Sequence, residues 1–413
     1  MSIGPSSGES RRLSDGANPY RCWLDTRGAA IAAGDGAHWF ACLTRETESL
    51  VGSAIARQAG REDENRLAVL VAPRPAPEVT ARNDGPVQAF LASGPWVERF
   101  LSGSGLPPER GCYHALELAL SGKAGNVHVD IVHDDALPVS CDPALRDVSV
   151  EVLIPHRGED ALLRICAEAI ARQSHRCDVR LCFDQLADPA IVRELRAGAG
   201  AACFAVSPAP AGPYVIREHF GRTSNADFIA FQDSDDMSLP QRVSRLLDHA
   251  VGGDADMVGC HELRLDEIAG RVEAIRFPLD VNRALDQATG HAQFFPTTLL
   301  RTGFFRATGG FSTSRRYGAD YQFLLRASRC GRIANLDAFL YVRRRRNGSL
   351  TTARGTSLRS PRRRLLNWRW KAAFAAVQAG RLELGQSSLR ATRASREYVF
   401  TDLRTGIRES ACL

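Results

Sequence analysis

An acidic turn follows one of the apolar segments of this sequence. The predicted strand 227–231 (DFIAF) runs directly into the turn QDSDD, which contains Asp233, Asp235 and Asp236. Three carboxylates on one turn repel one another unless a cation neutralises them. Carboxylate oxygens suit Mg²⁺ or Mn²⁺, and such ions commonly bridge a few carboxylates to a diphosphate. The turn therefore predicts a divalent-metal site. The alternative is that these acids only interact favourably with the positive end of the dipole of the helix that follows.

Two further acids stand where a strand ends or a helix begins. Asp184 closes the predicted strand 179–183, and Asp320 opens a helical pattern that carries Phe323 and Leu324. A carboxylate at a strand end could accept a hydrogen bond from a nucleotide base or ribose. A carboxylate that points at an acceptor hydroxyl could act as a general base. The ordinary alternatives are an exposed loop residue for Asp184 and a helix cap for Asp320.

Predicted strands and helices alternate from Asp147 onward, and this alternation would position the acids. Helical spacings follow Asp160 and Pro240. Strands are expected at 148–154, 179–183, 227–231 and 256–260. The alternation predicts an α/β fold with a doubly wound, mostly parallel sheet, in which ligands bind beyond the carboxyl ends of the strands. Asp184 and the acidic turn both lie at such ends.

The first 146 residues contain α/β patterns but no catalytic constellation. Residues 1–20 are rich in Ser and Gly and are predicted to be disordered. Residues 21–146 are predicted to form an α/β domain of unknown role, with a boundary in the Pro-rich stretch 138–143. The expected elements of this domain are strands at 66–71 and 126–132 and a helix at 87–101.

The most basic part of the sequence is 341–371, which carries ten arginines, one lysine and no acid. Such a segment could meet phosphates, an anionic membrane surface or nucleic acid, or could simply be a solvated face. The extension 351–413 is predicted to be helical, with Trp368 and Phe374 among its packing residues.

The composition bounds these interpretations. The chain has 413 residues, of which 44% are hydrophobic and 24% charged, with a net charge of +6. These values exclude a disordered, collagen-like or coiled-coil protein and predict about two to three domains. The sequence contains no apolar run of the roughly 18–20 residues that a membrane span needs, and its polar start is unlike a secretory signal. The scattered cysteines, with no C-x-x-C pair, favour a reducing, cytoplasmic compartment.

Five segments between residues 147 and 350 resemble, in order, the glycosyltransferase family 2 pattern of nucleotide-sugar-dependent enzymes with the GT-A fold. The segments are VEVLIPHRGEDALL, AIARQSHRCDVRLCFDQ, ADFIAFQDSDDMSLPQR, FFRATGGFSTSRRYGADYQFLLRASRCGRI and YVRRRRNGSLTT. The resemblance implies a GT-A-type domain that transfers a sugar, with inversion, from a nucleoside-diphosphate sugar. The acceptor would be a hydroxyl of a glycan, a lipid-linked molecule or another compound.

The resemblance also implies roles for individual residues. Asp235, with Asp233, would hold Mn²⁺ or Mg²⁺ on the diphosphate, and Asp320 would deprotonate the acceptor hydroxyl. The residues expected to bind the nucleotide or donor are Pro155, His156, Arg157, Asp184, Arg217 and Asp233. Residues expected near the diphosphate or acceptor are Asp236, Gly310 and Arg345. The sequence departs from the family pattern at Gln185, Glu218 and Ala319, where Asp, Asn and Glu are usual.

Other classes of protein fit the sequence less well. The loop after the first strand of this region, HRGED, has one Gly and two acids. Nucleotidyltransferases usually have a Gly-rich basic loop there, and Rossmann dehydrogenases have G-x-G-x-x-G. A membrane-embedded synthase would need spanning helices, and Leu366 stands where its Gln-x-x-Arg-Trp motif would have Gln.

Two alternatives to a glycosyltransferase stay open. One is a related nucleotidyltransferase. The other is a non-catalytic protein that binds an anionic surface or nucleic acid through 341–371. We expect a cytoplasmic enzyme that could contact the inner face of a membrane peripherally. Nucleic acid is disfavoured as a partner.

Overall fold

The computed structural model describes residues 31–32, 38–42, 65–71, 74–87, 89–93, 108–120, 127–132, 142–185, 188–198, 202–353, 356–357 and 360–412. The segment 1–20, predicted to be disordered, lies outside these residues. The chain divides into two compact units. The larger unit contains Ala76–Arg82, Val139–Glu262 and Ile275–Leu413, and the smaller unit contains the rest of the described residues.

The smaller unit is built mainly on the first strands of the chain and one helix. These elements are β1 (Ile31–Ala32), β2 (His38–Cys42), β3 (Asn65–Leu70), β4 (Arg82–Pro86), β5 (Ala89–Ser93), α1 (Pro108–Leu120) and β6 (Val127–Val132). All these strands except β4 form one sheet in the order β1-β2-β5-β3-β6. In this sheet β3 and β6 are parallel, and the other neighbouring pairs are antiparallel.

Two of the three elements predicted in this region are confirmed. The strands expected at 66–71 and 126–132 correspond to β3 and β6. The helix expected over 87–101 is wrong in its described part, because Ala89–Ser93 is a strand. This strand lies between β2 and β3 and pairs with both. Its backbone groups therefore find partners on both sides, and this tertiary pairing outweighs the helical spacing of its side chains.

The larger unit contains most of the remaining elements, and β12 and β13 are each divided between the two units. The strands are β7 (Val150–His156), β8 (Asp178–Asp184), β9 (Ala202–Ser207), β10 (Phe228–Phe231), β11 (Met237–Ser238), β12 (Met257–Asp266), β13 (Arg271–Arg276), β14 (Leu299–Arg301), β15 (Ile333–Arg345), β16 (Glu397–Asp402) and β17 (Arg408–Cys412). The helices are α2 (Asp160–Ala171), α3 (Pro189–Gly198), α4 (Pro213–Thr223), α5 (Arg242–Gly252), α6 (Val281–Gln287), α7 (Thr302–Ala307), α8 (Ala319–Ala327) and α9 (Pro361–Gln378).

The central strands of the larger unit are parallel. The sheet runs in the order β11-β15-β12-β14-β10-β7-β8-β9-β16-β17. Within it, β10, β7, β8 and β9 are mutually parallel, whereas β14 and β16 pair antiparallel to the two outer strands of that group. The predicted α/β fold, with a doubly wound and mostly parallel core, is confirmed.

Helices cover both faces of this sheet because its strands are apolar on both faces. Val152 packs into a core with helices α2, α3 and α5, where Leu163 is fully buried. The next residue, Leu153, points to the opposite core, which is shared with α4, α6, α7, α8 and α9 and includes Phe220. The first strand of the region thus alternates between two hydrophobic layers, as the pleat of a strand requires.

Helix α9 packs into the second of these cores. Leu366, Trp370 and Phe374 are buried at i, i+4 and i+8, so they form one stripe along the helix. The prediction that Trp368 packs in the core is wrong, because its side chain lies on the opposite side and is 65% exposed. The sequence places two Trp residues only two positions apart, and a helix cannot bury both against one surface.

The C-terminal region contains a hairpin in addition to the predicted helix. Strands β16 and β17 pair antiparallel, and β16 pairs with β9 through Thr401 opposite Val206.

None of the helices in the described residues is both long enough and apolar enough to cross a membrane.

A buried carboxylate holds the turn between α7 and α8. Glu218 on α4 is fully buried and forms ion pairs with Arg222 and Arg393. It also accepts a hydrogen bond from the backbone N–H of Phe311 at 2.5 Å. Gly310, whose φ is +64°, lies so close that an added Cβ would overlap Glu218 Oε2. This turn therefore needs glycine for its backbone conformation and also for space.

We predict that Gly310→Ala destabilises the protein by about 3 kcal/mol or more, because it adds steric overlap to the roughly 1–2 kcal/mol cost of a left-handed alanine. Gly406→Ala is the matched control, since Gly406 has φ +72° but no atom within 4 Å of an added Cβ. Calorimetric unfolding of the full chain measures both. Equal losses for the two variants would contradict the packing role of Gly310.

Candidate active site

The predicted site residues lie at one edge of the parallel strands. Strand β7 ends at His156 and β8 at Asp184, and β10 ends two residues before Asp233. The chain order of the four parallel strands is β7, β8, β9, β10, whereas the spatial order is β9-β8-β7-β10. The connections therefore change direction between β7 and β10. A crevice at the carboxyl ends of such strands is the usual ligand site in open α/β sheets.

The three acids of the turn form a tight cluster. One carboxylate oxygen from each of Asp233, Asp235 and Asp236 lies within 4.8 Å of the other two. Arg217 Nη2 donates to Asp233 Oδ1 at 2.5 Å, and Arg346 Nε donates to Asp235 Oδ2 at 3.0 Å. The side chains of Asp233 and Asp235 are 35% and 24% exposed, so both can still meet a ligand from solvent.

Asp236 is the buried member of the cluster. Its Oδ2 accepts from the Tyr341 hydroxyl at 2.9 Å, and its Oδ1 accepts from the Arg344 backbone N–H at 2.8 Å. Burial raises the pKa of Asp236 well above its usual range, and the charges of Asp235 and Asp233 raise it further. Burial and then repulsion from Asp233 also raise the pKa of Asp235. The turn thus resists carrying three negative charges, and a divalent cation would relieve that repulsion.

His156 connects β7 to the acidic turn. Its Nδ1 lies 2.9 Å from Ser234 Oγ, and its Nε2 lies 3.3 Å from Asp160 Oδ1. The ring is buried, and burial lowers the pKa of His156 in spite of the neighbouring Asp160 carboxylate. This histidine therefore links the end of β7 to the turn after β10, where the strand order changes.

The two neighbours of His156 differ in exposure. Pro155 is half-buried within β7, opposite Cys182 of β8. Arg157 is 61% exposed, and its guanidinium lies 3.8 Å from the Asp184 carboxylate. An exposed cation at the strand edge is suited to meet an anionic ligand.

The Asp184 carboxylate accepts hydrogen bonds from two backbone N–H groups. Its Oδ1 accepts from Ala211 N–H at 2.7 Å, and its Oδ2 accepts from Gly212 N–H at 3.2 Å. Both donors belong to the segment that leads into α4. The carboxylate is buried, so any contact with a nucleotide would have to share oxygens that already accept hydrogen bonds.

Asp320 lies in the first turn of α8. This helix begins directly after Gly318, whose φ of +79° is left-handed. Asp320 Oδ1 is buried and has no hydrogen-bond partner among the described residues. The Tyr214 hydroxyl lies beside this carboxyl group. Burial raises the pKa of Tyr214 well above its usual range, and the charge of Asp320 raises it further. Asp320 as a whole is half-buried, so the residue is not closed off from solvent.

The first turns of α4 bring these acids together. Asp184 accepts from the two backbone amides just before the helix, Tyr214 lies beside Asp320, and Arg217 binds Asp233. Tyr214 and Arg217 are three residues apart and thus neighbours on the helix surface, about 5–6 Å between Cβ atoms. Acids from three distant segments of the sequence therefore surround one end of one helix.

Several residues of the site were not found by the sequence analysis. Tyr214 lies outside the five segments of the family resemblance, and Ser234 and Tyr341 lie within them but were given no role. Arg346 was one member of a run of four arginines, of which Arg345 was the predicted contact. Arg345 is half-buried at the end of β15, and its neighbours Arg344 and Arg346 contact the acidic turn. Only the pairing of β15 with β11 decides which of these arginines face the acids.

The donor set fits a divalent cation of the Mg²⁺ or Mn²⁺ type. All three nearby side chains offer carboxylate oxygens, which are the ligands that such ions prefer. Asp233 and Asp235 are the accessible members, and Asp236 already uses both oxygens within the protein. Asp235 with Asp233 would therefore hold the ion, and Asp236 would support the turn.

We predict that Tyr341→Phe destabilises the protein by about 2–3 kcal/mol, because its hydroxyl serves Asp236 and also accepts from Asp233 N–H at 3.3 Å. The control is Tyr321→Phe, which removes one hydrogen bond to the Thr289 carbonyl at 3.1 Å and should cost about 1 kcal/mol. Urea unfolding of both variants measures the difference. A loss at Tyr341 no larger than that at Tyr321 would argue against the support of Asp236.

No family model matches this sequence, and no curated protein does. The chain is similar in structure to residues 1–349 of S. aureus TarS in complex with UDP-GlcNAc, with a TM-score of 0.41 and 17% identity, over 49% of this chain and 60% of that one. It is also similar to the same protein in complex with UDP, with a TM-score of 0.43 and 16% identity, over 57% and 67% of the two chains. For a longer TarS structure the TM-score is 0.43 and the identity 15%, over 57% of this chain and 40% of that one.

Proposed function

We propose that this chain is a metal-assisted glycosyltransferase of the family 2 type, which transfers a sugar from a nucleoside-diphosphate sugar to an acceptor hydroxyl with inversion. One observation carries the proposal: Asp184, Asp233 and Asp320, from three distant segments, surround the first turns of α4 at the carboxyl edge of the parallel strands. Such a transfer requires a metal site on the donor side and a carboxylate that can accept a proton on the acceptor side.

On the donor side, the proposal assigns the diphosphate to the acidic turn. Asp235 and Asp233 would hold the divalent ion, which when bound supplies Lewis-acid stabilisation of the charge on the departing nucleoside diphosphate. Arg217 holds Asp233 in place through its hydrogen bond to the Asp233 carboxylate. The exposed Arg157 and the arginine Arg346 add cationic groups that can meet phosphate oxygens.

On the acceptor side, the proposal assigns the general base to Asp320. The Asp320 side chain is half-buried, and its carboxylate would take the proton of an acceptor hydroxyl as that oxygen attacks the anomeric carbon from the face opposite the leaving group. Attack from that face inverts the anomeric configuration. The Tyr214 hydroxyl beside the same carboxyl group restricts its orientation. A base of this type contributes about 10²–10⁴-fold to the rate.

The proposed catalytic domain covers residues 147–350 and acts in the cytoplasm on a glycan, lipid-linked or other hydroxyl acceptor. Residues 21–146 have no assigned part in the reaction. A nucleic-acid-binding function gains no support from the site, because the clustered groups at the strand edge are carboxylates, which repel a phosphate backbone unless a metal intervenes.

We predict that Asp235→Asn lowers Mn²⁺-dependent hydrolysis of the donor by about 10²–10³-fold, the range typical for losing one group that stabilises developing charge. The matched control is Asp254→Asn, since Asp254 is an exposed acid outside the site whose φ of +49° also suits Asn. Hydrolysis is measured by release of nucleoside diphosphate from a panel of nucleotide sugars with and without Mn²⁺. Equal rates for the two variants and the wild type would rule out the assigned metal site.

Asp320→Asn is expected to separate binding from chemistry. The amide keeps the shape of the carboxylate but cannot accept a proton, so transfer should fall by about 10²–10⁴-fold. The affinity for the nucleoside diphosphate with Mn²⁺, measured by titration calorimetry, should stay within about threefold of the wild type, since Asp320 is not assigned to the donor. If donor affinity falls along with transfer, Asp320 does not have the role of base.

A further inference from the structure

Helix α9 has a second face that packs on nothing in the described chain. Its buried side consists of Arg363, Leu366, Trp370, Ala373 and Phe374. On the opposite side, Leu365 and Trp368 are 60% and 65% exposed. Exposed apolar side chains scattered singly are ordinary, but two large ones on adjacent turns of one helix face form a surface.

The exposed face is organised as an apolar stripe between two basic rows. Leu365, Trp368, Ala372 and Ala375 are all exposed and follow one another at i, i+3, i+7 and i+10. This spacing keeps them on one side of the helix over about 15 Å of its length. The stripe is flanked on each side by exposed bases, with Arg362 and Arg369 on one side and Arg364 and Lys371 on the other. The helix Pro361–Gln378 contains no acidic residue.

We propose that this face of α9 lies on an anionic phospholipid surface. A helix that rests in the plane of a membrane interface typically carries Trp and Leu on the side that enters the lipid and Lys or Arg along its margins. Long basic side chains at the margins can extend to lipid phosphates while their stems stay on the apolar surface. Trp is favoured at the level of the lipid headgroups. The face therefore matches the charge and the polarity gradient of such an interface.

Two other occupants fit the face less well. A second copy of this chain would bring four bases of one helix against four of another, and such like-charge contacts are unfavourable. Single-stranded nucleic acid would meet the bases and could stack on Trp368, but it would leave Leu365 and the two alanines without a partner. The inference does not depend on the proposed enzymatic activity, because none of these residues belongs to the site.

The test measures binding of the full chain to sucrose-loaded vesicles by co-sedimentation. One vesicle is phosphatidylcholine alone, and the other contains about a third phosphatidylglycerol. The wild type should bind only the anionic vesicles, and binding should weaken as salt rises from about 0.1 M to about 0.5 M. Replacement of Arg362, Arg364, Arg369 and Lys371 by Gln should lower the partition coefficient by at least roughly 100-fold, given roughly fivefold per base.

Matched controls separate this face from general surface properties. Gln at the exposed residues Arg193, Arg283, Arg404 and Arg408 removes the same charge from scattered positions and should lower the partition coefficient by less than roughly tenfold. Leu365→Ser should weaken binding, whereas Ile407→Ser, at a residue 61% exposed, should not.

Anionic vesicles should also shift the tryptophan emission to the blue, and Trp368→Phe should abolish the shift while keeping most of the binding. These substitutions are at exposed positions, and circular dichroism verifies that each variant is folded.

Four results would overturn the proposal. The first is equal binding of the wild type to neutral and anionic vesicles, or to neither. The second is an equal loss for the α9 bases and the scattered arginines. The third is tighter binding of a labelled single-stranded RNA through the same four bases. The fourth is a dimer in sedimentation velocity that Leu365→Ser dissociates.

Discussion

Repulsion among Asp233, Asp235 and Asp236 is the constraint around which the larger unit is assembled. Carboxylates this close destabilise one another unless cations or hydrogen-bond donors compensate them. The compensating groups come from elements far away in the sequence, with Arg217 on α4 and Arg346 just after β15. Burial, and then the charge of Asp233, raises the pKa of Asp235 in spite of Arg346, and a divalent cation would favour its ionised form.

Helix α4 connects the acids of the candidate site. The amides that precede it bind Asp184, its first turn places Tyr214 beside Asp320, and its next turn places Arg217 on Asp233. Such a helix is a rigid element, so the relative positions of the three acids depend on its seating in the core. Phe220, at the far end of the same helix, is buried and anchors it there.

The region after residue 350 supports the turn that precedes Asp320. Trp370 of α9 is buried against the turn at Gly318, where an added Cβ would lie 3.0 Å from its ring. That turn starts α8 and so directs Asp320. Glu218 holds the preceding Gly310 turn through its backbone. The extension is therefore part of the same structure as the site, and its outer face is left to interact with other molecules.

Local patterns in the sequence were enough to predict the strands and the acids that follow two of them. The alternation of apolar residues in VSVEVLI and the continuous apolar run in DFIAF predicted strands, and the acids after DFIAF and after the strand 179–183 were placed by the rule that parallel strands end at one edge. This reasoning placed Asp184, Asp233 and Asp235 at the carboxyl edge of the strands. The helix expected over 87–101 failed because a central strand position depends on partners that periodicity does not reveal.

The side chains that complete the site and the faces that stay exposed depend on the packing of elements that are distant in the sequence. The contacts of Tyr214, Tyr341 and Arg346 depend on how α4 and β15 meet the acidic turn, and no spacing in the sequence encodes that meeting. The sequence pattern favoured Trp368 of α9 as a packing residue and indicated no such role for Trp370. The packing of the helix buried Trp370 and left Trp368 exposed, because a helix offers one side to the core and the choice of side depends on the surface it meets.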